Sequence, residues 1–220
     1  NTTGSIINPS EFTLFISDND KPNLVINEFL ANPPTGMSGD ANGDGSRSSR
    51  EDEFIEIVNN GPSDVDISDW VLSDEGSISS VVYTFPRGTI IPSGRAIVVF
   101  GGGNPTGDFG GAIVQTSNGL SLNNTGDKVA LLDGSANVVQ SVPYGDEGGV
   151  DTGAESITRS PDITGSFEAH TIAANDNSSL FSPGTQIDGT PFSGSDHAIA
   201  IGNSVGDQEG WRMISSPVQN

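Results

Sequence analysis

The chain has 220 residues, of which 29 are glycine, 13 are proline and only 33% are hydrophobic, and this composition favours short elements joined by many turns. Its 29 acidic residues outnumber its 8 basic residues, so a formal net charge of -21 disfavours binding to nucleic-acid phosphates and anionic lipid surfaces and makes cations the natural partners. Without cysteine there is no disulfide or thiolate metal site, and no apolar run approaches the roughly 18 to 20 residues of a membrane helix, so no membrane insertion is expected.

The apolar runs are short, rich in β-branched residues and closed by Gly, Pro, Asn or Asp, which is typical of strands separated by turns. No apolar pattern keeps helical spacing for three turns, so we predict an all-β sandwich or barrel with little helix. The Asp-Gly pair at 133 and 134 predicts a hairpin, because it tolerates left-handed backbone angles. The predicted strands lie at 23–30, 53–58, 65–73, 79–85, 95–100, 111–116, 128–133 and 137–144.

Both ends of the chain differ from this middle. Residues 1–21 contain one strand-like run, EFTLFISDND at 11–20, and are predicted to be the end strand of a preceding module or a linker. Residues 193–220 become strand-like again after a polar stretch and are predicted to be a linker and the start of a following module. Neither end is long enough to bury a core alone. The main domain is therefore predicted to span residues 22–192.

The segment GDANGDGSRSSREDE, residues 39–53, matches the calcium-loop pattern D-x-[DN]-x-[DN]-G-x5-E. Alternate residues of such a loop turn oxygen atoms inward, the glycine permits a sharp turn, the next residue offers its carbonyl oxygen, and a late carboxylate closes the shell. Calcium binds six to eight oxygen atoms and fits a flexible protein cage better than magnesium does. The predicted Ca2+ ligands are Asp40, Asn42, Asp44, Ser46 and Glu51.

Two points about this loop stay open. It lies between strands and not between helices, so the closing carboxylate is Glu51, Asp52 or Glu53. The alternative to a cation site is a solvated acidic turn, but the density of acids, opposed only by Arg47 and Arg50, favours a bound divalent ion.

Two further carboxylates, Glu28 in VINEF and Glu56 in FIEIV, interrupt the apolar strands on either side of the loop. Such acids usually lie on the solvent face of a strand. If the two strands pair, both are also candidate extra ligands or hydrogen-bond acceptors near the loop.

Patterns that would indicate an enzyme are weak. The stretch GNSVG at 202–206 fits a nucleophile motif, but no strand-turn-helix pattern surrounds it and both histidines, His170 and His197, precede its serine. His170 is predicted to be a packed or capping residue. A second acidic group, Asp146, Glu147, Asp151 and Glu155, is interpreted as a solvated loop, with a weak second cation site as the alternative. No catalytic residue is predicted.

Several stretches together resemble a bacterial lamin tail domain: LVINEFLANPP, DEFIEIVNNG, VDISDWVLSDEG, FPRGTIIPSGRAIVVFGGG, SLNNTGDKVALLDGSANVVQSVPYG and SITRSPDITGSF with FSPGTQIDGTPF. The resemblance implies an immunoglobulin-like β-sandwich with Trp70 in the core and Gly61, Gly88 and Gly94 in turns. The N-terminal run EFTLFISDND, an apolar alternation followed by D-N-D, resembles the last strand of a Calx-beta repeat.

What the family resemblance implies is a non-catalytic interaction or spacer module within a secreted or cell-surface multidomain bacterial protein, and the loop predicts that calcium stabilises it. The alternatives are a carbohydrate- or surface-binding (adhesion) module, and an accessory domain of a secreted hydrolase or nuclease. The expected partners are calcium and either a polysaccharide or another surface protein. No nucleic acid is expected.

Overall fold

The computed structural model describes residues 23–193. Within this range the chain forms twelve strands, one five-residue α-helix and three single-turn 3-10 helices. The strands are β1 Leu24–Leu30, β2 Phe54–Asn59, β3 Val65–Asp66, β4 Val71–Ser73, β5 Val81–Thr84, β6 Ile90–Ile91, β7 Ala96–Phe100, β8 Ile113–Thr116, β9 Gly126–Leu132, β10 Val138–Gly145, β11 Ile157–Ser160 and β12 Ser166–Ala169. The helix α1 spans His170–Ala174, and the 3-10 helices are Met37–Gly39, Ile78–Ser80 and Phe109–Gly111.

Two sheets carry the domain. A six-stranded sheet has the order β12-β11-β1-β2-β7-β8, and a four-stranded sheet has the order β10-β9-β4-β5. Pairs within both sheets are antiparallel except β7 with β8, which is parallel. The short strands β3 and β6 pair only with each other. The predicted all-β architecture is confirmed.

The main core lies between the two sheets. Alternate residues of the six-stranded sheet, such as Ile55 and Ile57, point inward and pack against residues of the four-stranded sheet, such as Leu131 and Tyr144. All four side chains are fully buried. Trp70 is only half-buried and packs against this core from its edge. This alternation follows from the two-residue period of a strand, which sends every second side chain to the same face.

The opposite face of the six-stranded sheet is also covered, and we call it the outer face. Phe54, Val98 and Phe100 form an apolar cluster there, with the partly buried Phe109 and Phe181 against it. Further along, Phe192 packs on Val58 and Ala96. We call residues 180–193 the C-terminal strap, because they cross this face. Both faces of the sheet are therefore buried, and any polar residue of its central strands needs a protein partner.

A bulge in β1 decides which polar residues reach the outer face. Ile26 pairs with Ile57 and Glu28 pairs with Glu56, so Asn27 is one extra residue on β1. A bulge of this kind breaks the two-residue alternation. As a result Asn27 and Glu28 both hydrogen-bond to partners on the outer face, while Ile26 and Phe29 on either side join the inner core.

The eight predicted strands are present, with two local corrections. The run at 65–73 is divided into β3 and β4, because Asp69 adopts a left-handed φ of 63° and turns the chain. The β9–β10 hairpin is confirmed, but its loop spans residues 133–137 and its left-handed residue is Ala136, not Gly134. The Asp133 carboxylate holds this loop by accepting the Ser135 and Asn137 N–H groups.

Two strands at the edge of the six-stranded sheet were not predicted. They are the short polar strands β11 and β12, neither of which carries a long apolar run. Of the predicted turn glycines, Gly88 and Gly94 have left-handed φ angles of 84° and 66°. The predicted strand at 11–20, the GNSVG stretch and His197 lie outside the described residues, and the predicted flanking modules stay predictions.

Candidate functional site

The loop between β1 and β2 begins with a hydrogen bond that closes its turn. The Asp40 Oδ2 atom accepts the Gly45 N–H at 2.9 Å, across five residues. Gly45 has a left-handed φ of 88°, the region that favours glycine. The other carboxylate oxygen of Asp40, Oδ1, is buried and has no hydrogen-bond partner. One oxygen of Asp40 thus fixes the loop, and the other is a buried acceptor without a protein partner.

The alternate residues of the motif are linked in sequence. Asn42 is fully buried, and its Oδ1 atom accepts the Asp44 N–H at 3.0 Å. Asp44 in turn accepts the Ser46 N–H through Oδ1 at 2.9 Å and the Asn104 N–H through Oδ2 at 3.2 Å. These contacts give the loop a defined shape, which a freely solvated acidic turn would not need.

The three acids that compete to close the shell occupy different environments. Glu51 is exposed and lies against Gly102. Asp52 is fully buried in the loop, where Oδ1 accepts the Asn42 N–H at 3.1 Å and Oδ2 accepts the Ser48 N–H at 2.6 Å. Only Asp52 therefore turns its carboxylate into the loop.

Glu53 faces a different part of the molecule. Its Oε2 atom accepts the Leu122 N–H at 3.3 Å. Burial raises the pKa of Glu53 to about 7, and burial also raises the pKa of Asp52, with a smaller contribution from the neighbouring Asp40 charge.

The loop packs closely against the glycines at 101–103. A Cβ atom on Gly101 would lie 1.8 Å from the Arg50 carbonyl oxygen, and one on Gly103 would lie 2.4 Å from Asn42 Nδ2. Any larger residue would push the loop away. No packing role was predicted for these glycines, and the sequence signal for it is three successive glycines after an apolar strand.

A polar cavity of about 510 Å³ lies beside the loop. Ser48, Arg50 and Glu51 form one wall. Gly101–Gly103 and the segment Thr116–Gly119 form the rest. No aromatic side chain lines it, and no Trp, Tyr or Phe is among the exposed large hydrophobic side chains of residues 23–193. This cavity thus offers no aromatic ring for stacking a sugar.

Glu28 and Glu56 are fully buried on the outer face, so their interpretation as solvent-facing acids is wrong. Glu28 accepts hydrogen bonds from Ser156 Oγ at 2.6 Å, from the Ser182 N–H at 2.8 Å and from Ser182 Oγ at 2.7 Å. Glu56 accepts Asn27 Nδ2 at 3.0 Å and the Gly184 N–H at 2.6 Å. Their partners come from the strands and the C-terminal strap, and none comes from the loop.

Several residues of this buried network were missed from sequence. Asn27 donates to both Glu56 and Asp162, and its Oδ1 atom accepts the Ile163 N–H at 2.6 Å. His170, predicted to be packed, is fully buried and lies 2.9 Å from Ser182 Oγ. The signal for the network was the Asn-Glu pair within the apolar run VINEFL, which breaks the alternation of a strand.

The second acidic group is dispersed. Glu147 forms an ion pair with Lys128 at 3.2 Å, and both side chains are about half exposed. Glu155 accepts the Thr171 N–H, while Asp146 and Asp151 are exposed. Within residues 23–193, no three His, Asp or Glu side chains are close enough together to hold a metal ion. A cation in the loop would therefore need amide, carbonyl and water oxygens in addition to carboxylates, and calcium accepts such a mixed set.

A family model for the Lamin Tail Domain matches residues 17–146. This match covers more than half of the chain, so the protein belongs to the lamin tail domain family, a family of immunoglobulin-like structural domains that are not typically catalytic. None of the curated proteins compared with the chain matches it. Among residues 23–193, no helix is long and apolar enough to cross a membrane.

Proposed function

We propose that this protein is a non-catalytic module whose loop at 39–53 binds calcium, and that the ion stabilises the fold. The observation that carries the proposal is the Asp40 carboxylate. One of its oxygens accepts the Gly45 N–H and the other is buried without a partner. An unpaired buried carboxylate oxygen is costly, and a bound cation removes that cost.

The proposed ligands are Asp40, Asn42, Asp44 and the carbonyl oxygen of Ser46, and Asp52 closes the loop around them by accepting the Asn42 and Ser48 N–H groups. Asp52 is preferred to Glu51 and Glu53 because its carboxylate is the one that lies inside the loop. Glu28 and Glu56 are left out of the set, since none of their hydrogen-bond partners belongs to the loop. Water completes the shell.

The ion acts through thermodynamic linkage. A ligand that binds the folded loop and not the unfolded chain stabilises the fold by RT ln(1 + [L]/Kd). For an affinity of roughly 0.1 to 1 mM, as in extracellular modules, 10 mM calcium adds about 1.4 to 2.7 kcal/mol. Such a module is fully stable only in calcium-rich surroundings, which fits an interaction or spacer role at the cell surface or in a secreted protein.

The proposal is tested by thermal melts of the 220-residue chain with 10 mM calcium and with a chelator. Calcium is expected to raise the Tm, and Asp40→Asn is expected to abolish the response. Asp151→Asn is the matched control, because it removes the same charge from an exposed residue away from the loop. An equal Tm with calcium and with chelator would rule the proposal out.

A further inference from the structure

A row of carboxylates crosses the outer face under the C-terminal strap. In the strand register, Glu28 lies opposite Glu56 on β2 and opposite Thr158 on β11. Thr158 in turn lies opposite Glu168 on β12. Residues that face each other across antiparallel strands have Cβ atoms about 4.5 to 5.5 Å apart. Glu28 and Glu56 are therefore immediate neighbours in a site from which water is excluded.

The strap is fastened to these two carboxylates. Its Ser182 N–H and Oγ both donate to Glu28, and its Gly184 N–H donates to Glu56. Near the strap's start, the Leu180 carbonyl oxygen accepts the Ser156 N–H at 2.9 Å. The strength of the strap's attachment thus depends on the protonation state of the two carboxyl groups that accept its hydrogen bonds.

The hydrogens between His170, Ser182 and Glu28 can be counted. His170 Nδ1 lies 2.9 Å from the Ser179 carbonyl oxygen, and because a carbonyl only accepts, Nδ1 carries a hydrogen. His170 Nε2 lies 2.9 Å from Ser182 Oγ, which lies 2.7 Å from Glu28 Oε2. A hydroxyl has one hydrogen to donate, so both contacts are hydrogen bonds only if one further proton is present, on Nε2 or on Oε2.

We propose that one proton shared by His170, Ser182 and Glu28 fastens the C-terminal strap to the outer face, and that loss of this proton at raised pH releases the strap. With the proton on Nε2, the imidazolium donates to Ser182, which donates to an ionised Glu28. With the proton on Oε2, the direction of both bonds reverses. Without it, Nε2 and Oε2 compete for one hydrogen and a buried acceptor is left unpaired.

The surrounding charges favour keeping the proton. Most titratable side chains around this site are carboxylates. They are Glu56 on β2, Glu168 on β12, Glu155 before β11 and Asp162 after it. Arg159, the basic residue of β11, donates instead to the carbonyl oxygens of Ile26 and Gly165 and stacks on Phe167. Removal of the shared proton would add negative charge to a site whose neighbouring side chains are mostly acidic.

The direction of the pH effect follows from the two glutamates. Burial raises the pKa of Glu28, partly opposed by His170, and burial followed by the Glu28 charge raises the pKa of Glu56 well above its ordinary value. A group whose pKa is higher in the folded state stabilises the fold below its ordinary pKa, and that contribution is lost as pH rises through the folded value. The strap is thus held at acidic pH and loosened at alkaline pH.

Release would change the reach of the chain. The fourteen residues of the strap lead directly to residue 194, and fourteen extended residues span roughly 46 to 50 Å. A released strap would let the connection to residues 194–220 extend further than the packed strap does, up to this length. The strap that leads to residues 194–220 is thus held against the sheet at acidic pH and free to extend at alkaline pH.

Hydrogen exchange of the 220-residue chain, measured by mass spectrometry from acidic to alkaline pH, tests the proposal. After correction for the intrinsic rate, amides of residues 180–193 are expected to exchange about tenfold faster or more once the proton is lost, as one unpaired buried acceptor implies. Peptides from β9 are expected to stay unchanged. Strap protection that is constant or increases with pH would overturn the proposal.

Two variants and one spectroscopic signal complete the test. Ser182→Ala keeps the backbone bond to Glu28 but removes the shared hydroxyl, so strap exchange should lose its pH dependence, while the exposed control Ser178→Ala should retain it. If Ser182→Ala loosens the strap at every pH, the His170 NMR signal decides, assigned with His197→Gln. In the unmodified chain this signal should change over the same pH range as strap exchange, and a change over a different range would contradict the shared proton.

Discussion

Acidic residues occur in two contrasting settings within this domain. In the loop at 39–53, Asp40, Asp44 and Asp52 accept hydrogen bonds from the loop's own backbone N–H groups. On the outer face, Glu28 and Glu56 are buried beneath a remote segment and accept from side chains and from the strap. The first group is local in sequence, whereas the second joins residues 128 to 154 positions apart.

The contrast shows that charge density in a sequence does not identify where charge matters most. The loop acids are clustered, but Glu51 is exposed and Asp40 and Asp44 are only partly buried, so solvent screens part of their charge. The two strand glutamates are isolated in sequence and yet form a buried pair in which each proton has a large energetic effect. Substitutions in the two groups should therefore change the unfolding free energy by different amounts. They should also differ in how that change depends on pH and on calcium.

The largest effect is expected at Asn27. Asn27→Leu removes one donor to Glu56, one donor to Asp162 and the acceptor of the Ile163 N–H, all in or near the buried network. Loss of these bonds should lower the free energy of unfolding by about 3 kcal/mol or more. Urea denaturation measures the change.

Asn32→Ala is the matched control, because Asn32 is partly exposed and bonds only Gly153 and Asn124 near the surface. It should cost less than about 1 kcal/mol. Equal losses for the two variants would show that the outer-face network is no more important than a surface contact.

The pH dependence of stability separates the strand glutamates from the loop. Because burial raises the pKa of Glu56 well above its ordinary value, stability should fall as pH rises through the folded pKa, by up to about 1.4 kcal/mol per pH unit for one proton. Glu56→Gln removes this proton and the repulsion of Glu28. Its unfolding free energy should vary less with pH than that of the unmodified chain, as urea melts at several pH values would show.

Asp151→Asn, on an exposed residue, is the control and should leave the pH profile unchanged. If Glu56→Gln left it unchanged as well, Glu56 would not be the group that titrates.

The sequence predicts the local features well and the remote ones poorly. Strand positions follow from alternating apolar runs, and the loop motif places Asp40, Asn42 and Asp44 by fixed spacing. The bulge at Asn27 could not be predicted, because one extra residue inverts the alternation without any residue type that demands it. Without the bulge, Glu28 would be assigned to the wrong face.

The strap was unpredictable for a different reason. Residues 180–193 have no apolar periodicity, and their contacts with Glu28 join positions 154 apart in sequence. Only the folded sheet brings these groups together. Similarly, which of three successive acids turns into the loop depends on how the chain enters β2, and Asp52 does so while Glu51 faces solvent.

A smaller effect, specific to calcium, is expected within the loop. Asp52→Asn should remove most of the proposed stabilisation by 10 mM calcium, about 1.4 to 2.7 kcal/mol, because its carboxylate lies inside the loop. Glu51→Gln should keep the calcium response, since Glu51 is exposed. Calcium titrations followed by calorimetry measure both. The reverse outcome, with binding lost only in Glu51→Gln, would assign the closing carboxylate to Glu51.

The smallest effect is expected at the exposed pair of Lys128 and Glu147, whose side chains are 44% and 53% exposed and lie 3.2 Å apart. Water screens such a pair, so Glu147→Gln should change the unfolding free energy by less than about 1 kcal/mol. The residual effect should decrease further at 1 M salt, where the Debye length is about 3 Å. Urea melts at low and high salt test this prediction. If Glu147→Gln lowered the unfolding free energy as much as Asn27→Leu does, the exposure of an acidic residue would not indicate its contribution to stability.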